Sequence, residues 1–302
     1  MHDVIIIGGG PAGMSAALYC ARAALKTAVL EKYPVSGGQM NLTDAIENFP
    51  AYESAEGMEI AAKLRAQAEN AGAEFICRTA DRIISDRYKT IETDSGSYIC
   101  KALIYAAGAQ HRKLGVKGEE EFTGRGVSYC AVCDGGFYRK KTAAVIGGGD
   151  TALKEALYLA KLCAKVYLIH RREEFRGGKY LLEKCLKQDK IEIIRSAVCT
   201  EITGDKTVSG IMLSKDGRSF HLQCDGVFAA VGMSPVTEIM NGICDMNDKG
   251  YIIAGEDCKT SADGIFAAGD VRTKPLRQII TACADGANAA YSAEEYLNMT
   301  EF

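Results

Sequence analysis

Residues 130–133, Cys-Ala-Val-Cys, set two thiols three positions apart, directly before Asp134 and a pair of glycines. Two sulfurs at that spacing can close a structural disulfide, cycle between disulfide and dithiol, or supply half of a zinc site. A zinc site of this kind takes four ligands. The chain has no second C-x-x-C, and its four histidines (His2, His111, His170, His221) are isolated. A purely structural disulfide closing so small a loop constrains little of the unfolded chain and adds little stability. Redox cycling is the reading these residue types favour: one thiolate attacks a disulfide and its neighbour resolves the mixed disulfide. Asp134 either passes a proton to a leaving thiolate or simply forms the turn in Asp-Gly-Gly.

A dithiol that cycles needs a source of electrons, and the chain carries two glycine turns of the dinucleotide-binding kind. The strand-like run at residues 3–7 leads into GGGPAG, then a small-residue helical stretch, then a second strand ending at Glu31. In that setting Gly8 allows the tight turn and Gly10 lets the backbone approach a pyrophosphate. Gly13 lets helix and strand pack closely, with Pro11 and Ala12 in the turn before it, and Glu31 can accept a ribose hydroxyl.

The plan repeats from residue 142. Gly147, Gly149 and Ala152 take the three key positions, with Asp150 and Thr151 between them, and Leu153, Ala156, Leu159, Ala160 and Cys163 continue an apolar helical face. The next strand ends not in an acid but in His170, Arg171 and Arg172, with Arg176 close behind. A ribose 2′-hydroxyl calls for a carboxylate, whereas a 2′-phosphate calls for guanidinium groups. The cluster therefore favours NADP over NAD, unless Glu173 and Glu174 pair with the arginines as a solvated patch. The acid-ended first site suits the adenosine of FAD; the arginine-ended second suits NADPH.

The elements that must position these residues follow the same duplication. Each strand–turn–helix opening gives way to β-rich hairpins (residues 82–100 and 208–224), and each hairpin leads to a similar strand, 103–109 and 227–233, with a third version at 264–270. The expected fold is α/β: two nested Rossmann-like dinucleotide-binding domains, three-layered, with parallel sheets and β-meanders. The second is inserted in the first, giving an FAD-binding domain of residues 1–112 and 243–302 and an NADPH-binding domain of residues 113–242. At 302 residues, two domains can each bury a core.

Composition narrows the partners. A formal net charge of −3 gives no general affinity for nucleic acid or anionic lipid, and no apolar run is long enough to span a bilayer. The N-terminus lacks the features of a signal peptide. Ten of the twelve cysteines are scattered singly, as expected of small buried hydrophobes kept reduced in the cytoplasm.

The motifs GGGPAG, SGGQ, IENFP, CAVCDG, GGGDTA, HRREEFR and AAGDVRTKPLRQIITACADG stand here in an order that resembles the low-molecular-weight thioredoxin reductases, class II pyridine nucleotide-disulfide oxidoreductases, over essentially the whole chain. The resemblance implies a homodimeric FAD enzyme that uses NADPH to reduce the disulfide of thioredoxin. It implies FAD contacts at Gly38, Gln39, Thr43, Asn48, Gly108, Gly269, Asp270, Arg277, Gln278 and Ile279. It makes Cys133 the thiol nearest the flavin, Cys130 the one that attacks thioredoxin and Asp134 the general acid/base. It also implies rotation of the NADPH domain, with the two chain crossings as hinges. Val236 and Asp150 depart from residues common in the family without touching this chemistry. Three rival readings remain at this point: a ferredoxin-linked reductase of the same architecture, a small-dithiol oxidase, and a non-enzymatic nucleotide-binding module with structural cysteines.

Overall fold

A computed structural model describes residues 1–43 and 45–302. The chain divides into two compact units, residues 1–110 with 234–302, and residues 111–233. The first unit opens with β1 (His2–Ile7), α1 (Pro11–Arg22), β2 (Thr27–Glu31), α2 (Gly57–Asn70) and β3 (Glu74–Cys77). β4 (Ala80–Ser85), β5 (Lys89–Thr93) and β6 (Gly96–Tyr105) follow, then the short β7 (Ala109–His111). β1 pairs in parallel with β2 on one side and with the second half of β6 on the other, and β2 pairs with β3. The first half of β6 turns antiparallel to β5, and β5 to β4, which makes the meander. Val4, Ile5 and Ile6 are fully buried although their side chains alternate between the two faces. A parallel strand covered on both sides needs such a continuous apolar run.

The second unit repeats the plan. β8 (Val127–Ser128) and the single turn α3 (Ala131–Asp134) precede β9 (Thr142–Ile146), α4 (Asp150–Leu162), β10 (Lys165–Ile169), α5 (Lys179–Leu186) and β11 (Ile191–Ile194). The antiparallel strands β12 (Ala197–Gly204), β13 (Val208–Lys215) and β14 (Arg218–Gln223) form a separate sheet, after which β15 (Gly226–Ala229) returns to the parallel one. The parallel order is β11-β10-β9-β15-β8. On α4 the expected apolar face, Ala152, Leu153, Ala156, Leu159 and Ala160, is buried together with Cys163.

The chain then leaves through β16 (Met233–Pro235) and completes the first unit with β17 (Ile265–Ala267) and the long α6 (Ile279–Met299). β17 pairs with β6, so the parallel part of the first sheet reads β3-β2-β1-β6-β17. The second crossing thus falls at 233/234 rather than at the expected 242/243. Residues 234–242 belong with the first unit because Met240 is buried among Ile5, Leu30 and Tyr105, and the Tyr105 hydroxyl donates to the carbonyl of Val236 at 3.0 Å. The first crossing, at 110/111, lies two residues before the expected one. No helix among the described residues is long and apolar enough to cross a membrane.

α1 and α6 pack backbone to backbone. A Cβ on Gly286 would stand 2.1 Å from the Ala12 carbonyl oxygen, a contact that only glycine at 286 permits. The residue just before it, Asp285, is buried. It takes Arg272 in a forked pair at 2.6 and 2.9 Å, the Lys274 ammonium at 2.7 Å and the Gly269 amide at 2.9 Å. Burial raises its pKa, but the bonds from Arg272 and Lys274 outweigh that and hold the carboxyl below its ordinary 3.8.

Asp285→Ala would leave two buried cations without their anion and is expected to cost about 3–5 kcal/mol of unfolding free energy, read from the urea midpoint. Because the folded pKa is depressed, the wild-type contribution is fully present above the unfolded value. It is lost as acid takes the pH below the usual carboxylate range.

Candidate active site

Cys130 and Cys133 are joined by a disulfide, with their Cα atoms 5.3 Å apart. Cys130 caps the single turn α3: its sulfur lies 3.2 Å from the Cys133 amide, and its carbonyl accepts the amides of Cys133 and Asp134. Ser128, at the end of β8, ties the two chemical groups together. Its hydroxyl donates to Asp134 Oδ2 at 2.6 Å and accepts the Cys130 amide at 3.1 Å. Nothing in the sequence pointed to Ser128, because its role depends on the chain doubling back over six residues. Burial pushes the other thiols far from reactivity: Cys20, Cys100, Cys224 and Cys258 up to about 12, and Cys163, Cys185, Cys199, Cys244 and Cys283 up to about 11. Cys77 is exposed.

The first glycine turn is set by sterics. Gly8 has φ +104°, and a Cβ there would meet the Ala106 carbonyl oxygen at 2.5 Å; a Cβ on Gly13 would meet the Gly8 carbonyl at 1.8 Å. Gly10, by contrast, opens onto free space, and the nearest atom to a Cβ on Gly38 would be Gly10 Cα at 3.8 Å. Glu31 sits at the end of β2 with its two carboxylate oxygens on the amides of Gly9 and Tyr33. Pro11 is the first residue of α1, and Ala12 packs against Gly269, where a Cβ would fall 2.8 Å from its own. Gln39 donates to the Ala109 carbonyl, next to Gly108, whose φ is +74°. The Thr43 carbonyl accepts the Gly57 amide, which anchors the 3-10 turn Gly38–Leu42 to α2.

Across the same glycine turn lies the segment leading into α6. Asp270 Oδ1 is buried with no hydrogen-bond partner among the described residues, and burial raises the carboxyl's pKa against the pull of Lys274 and Arg277. Arg277 stacks on Tyr251 at 4.2 Å and donates to the Asp270 carbonyl. Gln278 caps α6, immediately before Ile279, and accepts the Asn48 amide at 2.9 Å. Contacts thus link Gly10 with Gly38, Gly9 with Glu31, Ala12 with Gly269 and Asn48 with Gln278, all within the first unit. The open faces of Gly10 and Gly38 leave room for a pyrophosphate, and the orphaned Asp270 oxygen calls for a hydroxyl donor. These residues fit a dinucleotide.

The second glycine turn differs at its rim. Gly147 lies against the Ala230 carbonyl, Gly149 opens onto free space, Ala152 is buried and Thr151 is exposed. Asp150 accepts the Gly178 amide at 2.7 Å, which ties the loop after β10 to the start of α4. Arg171, Arg172 and Arg176 are exposed and form no ion pair among the described residues. Glu173 instead reaches Arg195 at 3.7 Å and Ser196 at 2.9 Å. Three unpaired guanidinium groups at the mouth of the turn suit a phosphate.

His170 does not join them. It is buried, its ring fills the space beside Gly148 and stacks on Phe175, and Nε2 lies 3.1 Å from the Glu174 carbonyl. Burial lowers its pKa, with the three arginines adding to that, so its ring supports the loop as a neutral group.

The family model for pyridine nucleotide-disulphide oxidoreductases matches residues 2–286. A thioredoxin reductase of Listeria monocytogenes is 44% identical, covering 98% of this chain and 94% of that protein. One of Treponema pallidum is 43% identical, covering 98% and 97%. Among solved structures, a thioredoxin reductase of Streptococcus pyogenes aligns with a TM-score of 0.93 at 44% identity over 99% of both chains. That of Lactococcus lactis aligns with a TM-score of 0.69 at 43% identity, over 99% of this chain and all of the other.

The burial contrast at the second turn separates stability from binding. His170→Ala is expected to destabilise the protein by about 1–3 kcal/mol, and alanine at Arg171, Arg172 or Arg176 by within about 0.5 kcal/mol, both read by denaturant unfolding. Because the folded pKa of His170 is lowered, its contribution should fall as the pH drops below about 6.5, and His170→Ala should lose that slope.

Proposed function

The chain belongs to the pyridine nucleotide-disulphide oxidoreductases, and we propose that within that family it works as a thioredoxin reductase. It carries two electrons from NADPH to FAD, from FAD to the Cys130–Cys133 disulfide, and from there to the disulfide of a thioredoxin. The observation that carries this reading is the disulfide-bonded Cys130–Cys133 pair, set in the same unit as a glycine turn rimmed by unpaired arginines.

In this reading the first unit holds FAD. Gly8, Gly10, Pro11, Ala12 and Gly13 face the pyrophosphate, Glu31 takes the adenosine ribose, and Asp270 accepts a ribityl hydroxyl at its orphaned oxygen. Gly38, Gln39, Thr43, Asn48, Gly108, Gly269, Arg277, Gln278 and Ile279 complete the cradle. The second unit holds NADPH on Gly147, Gly149, Asp150, Thr151 and Ala152, with Arg171, Arg172 and Arg176 on the 2′-phosphate and His170 beneath the loop. FAD supplies a carrier that takes two electrons from the nicotinamide and gives them to the disulfide.

Once reduced, the Cys130 thiolate attacks one sulfur of the partner disulfide, whose S–S bond breaks and whose other sulfur leaves as a thiolate. Asp134, held by the Ser128 hydroxyl, is placed to pass the proton of the Cys133 thiol to that leaving thiolate, which frees Cys133 as a thiolate in turn. Cys133 then attacks Cys130, the mixed disulfide breaks, and the reduced partner departs as the internal disulfide re-forms. Val132 and Phe137 stand 45% and 46% exposed beside the pair, and Arg139, Lys140 and Lys141 are exposed just beyond. Apolar side chains left in water next to a reactive disulfide support a protein substrate over a small dithiol. The protein acts as a homodimer in the cytoplasm, where ten unpaired cysteines stay reduced.

An anaerobic NADPH titration followed by flavin absorbance tests the path. About two equivalents per subunit should be taken up, since flavin and disulfide each accept two electrons. Cys133→Ser should take one, bleach fully and fail to reduce thioredoxin. Uptake of one equivalent by the wild type would disconnect the disulfide and sink the mechanism, and no bleaching at all would remove NADPH as donor.

A further inference from the structure

α4 carries one carboxyl that the mechanism above does not use. Glu155 lies on the flank of α4 that packs against α3, beside the apolar face at Ala156 and Leu159. α3 and the turn after it sit close on this helix: a Cβ on Gly135 would touch Leu159 and Tyr158 at 3.1 Å. The Glu155 carboxylate takes a backbone hydrogen bond from Ala131, the residue between Cys130 and Val132, which is itself fully buried. Its second oxygen, Oε2, is out of reach of solvent and has no hydrogen-bond partner. A carboxylate held this way has one peptide unit between itself and the disulfide and no cation to compensate it. Burial pushes its pKa up to about 7, against the lowering by the Ala131 bond.

The other titratable groups around it are few. On α3 stand Asp134, bonded to Ser128, and the cysteine pair. The turn after α3 brings Tyr138, pushed up to about 12, and α5 brings Cys185, up to about 11, as is Cys163 at the end of α4. β9, β10 and β11 contribute Ala143, Val145, Val166, Leu168, Ile191 and Ile193 to this core.

We propose that Glu155 takes up a proton when the Cys130–Cys133 disulfide is reduced, so that the negative charge beneath α3 stays at one throughout the redox cycle. The proposal rests on the pair being redox-active, as argued above. Two electrons and one proton delivered to the disulfide break the S–S bond and leave one thiol and one thiolate. At neutral pH and above, that thiolate would stand one peptide unit from the buried Glu155 carboxylate, the pair itself being half-buried. The like charges disfavour one another, and the carboxylate, already desolvated, takes a second proton from water. Reduction then consumes two protons in all, and the thiolate is kept ready for attack. Glu155 reaches the sulfurs only through the Ala131 peptide and is a positioning residue.

The proton count is read by equilibrating the holoenzyme with dithiothreitol between pH 7 and 8 and scoring dithiol against disulfide by alkylation and mass. Dithiothreitol gives up two electrons with two protons. The wild-type equilibrium constant should therefore be flat, within about twofold. For Glu155→Gln, where only one proton is taken up, it should rise about tenfold per pH unit. A flat Gln variant, or a wild type that already rises tenfold, overturns the proposal. A second readout needs no variant. The reduced-minus-oxidised infrared difference spectrum of the wild type at pH 8 should gain a protonated-carboxyl band, and its absence overturns the proposal too. Failure of NADPH to reduce the wild-type pair would instead defeat the functional reading, while the dithiothreitol equilibrium would still report on Glu155.

Discussion

Backbone atoms meeting backbone atoms set the geometry on which the first unit depends. At Gly13 and Gly286 there is no room for a single methyl group, since a Cβ would fall 1.8 and 2.1 Å from a carbonyl oxygen. Beside this close packing, Gly10 at the start of α1 opens onto free space. The cost of that arrangement is a loss of side-chain packing at the centre of the unit. The small residues Ala12, Ala16, Ala17, Ala282, Ala289 and Ala290 fill the space at low entropy, and the forked Arg272–Asp285 pair closes the far side.

The duplication goes further than the glycine turns. In the first sheet the strand beside β6 is β17; in the second, the strand beside β15 is β8. The two come from different places in the chain, one after the body of its unit and one before it. Each runs out at the edge of its parallel strands into a loop that carries candidate site residues: β17, last paired at Ala267, leads to Gly269 and Asp270, and β8, last paired at Ser128, leads to Cys130.

What the sequence made legible, and what it hid, follows from the range of the interactions involved. The glycine turns, Glu31, the arginine cluster and the cysteine pair are local patterns whose spacing already implies their chemistry. The second chain crossing was misplaced because β16 is only three residues long and carries no periodicity; what assigns residues 234–242 is Met240 burying itself in a core built from β1, β2 and β6. His170 reads in sequence as one more base in a basic run, yet tertiary packing against Gly148 and Phe175 turns it into core. Glu173 and Glu174 looked like partners for the arginines next to them, but Glu173 reaches across to Arg195 and Ser196 on the far side of β11. Ser128 and Glu155 had no signal at all, since each gains its meaning from a peptide brought to it by the fold.

The ten unpaired cysteines have a consequence for the specificity of electron flow. A thiol whose pKa lies near 11 is ionised about once in 10⁴ molecules at pH 7, and one near 12 about once in 10⁵. Thiol exchange runs through the thiolate, so the nine buried or half-buried thiols are kinetically quiet even though a strong dithiol forms within the same polypeptide at every turnover; Cys77, which is exposed, has no such protection. Burial acts here as electrical insulation. Most of the twelve cysteines are thus kept off the electron path, and a mutation that merely loosened the core that Cys163 and Cys185 share with Ala131 would open a short circuit.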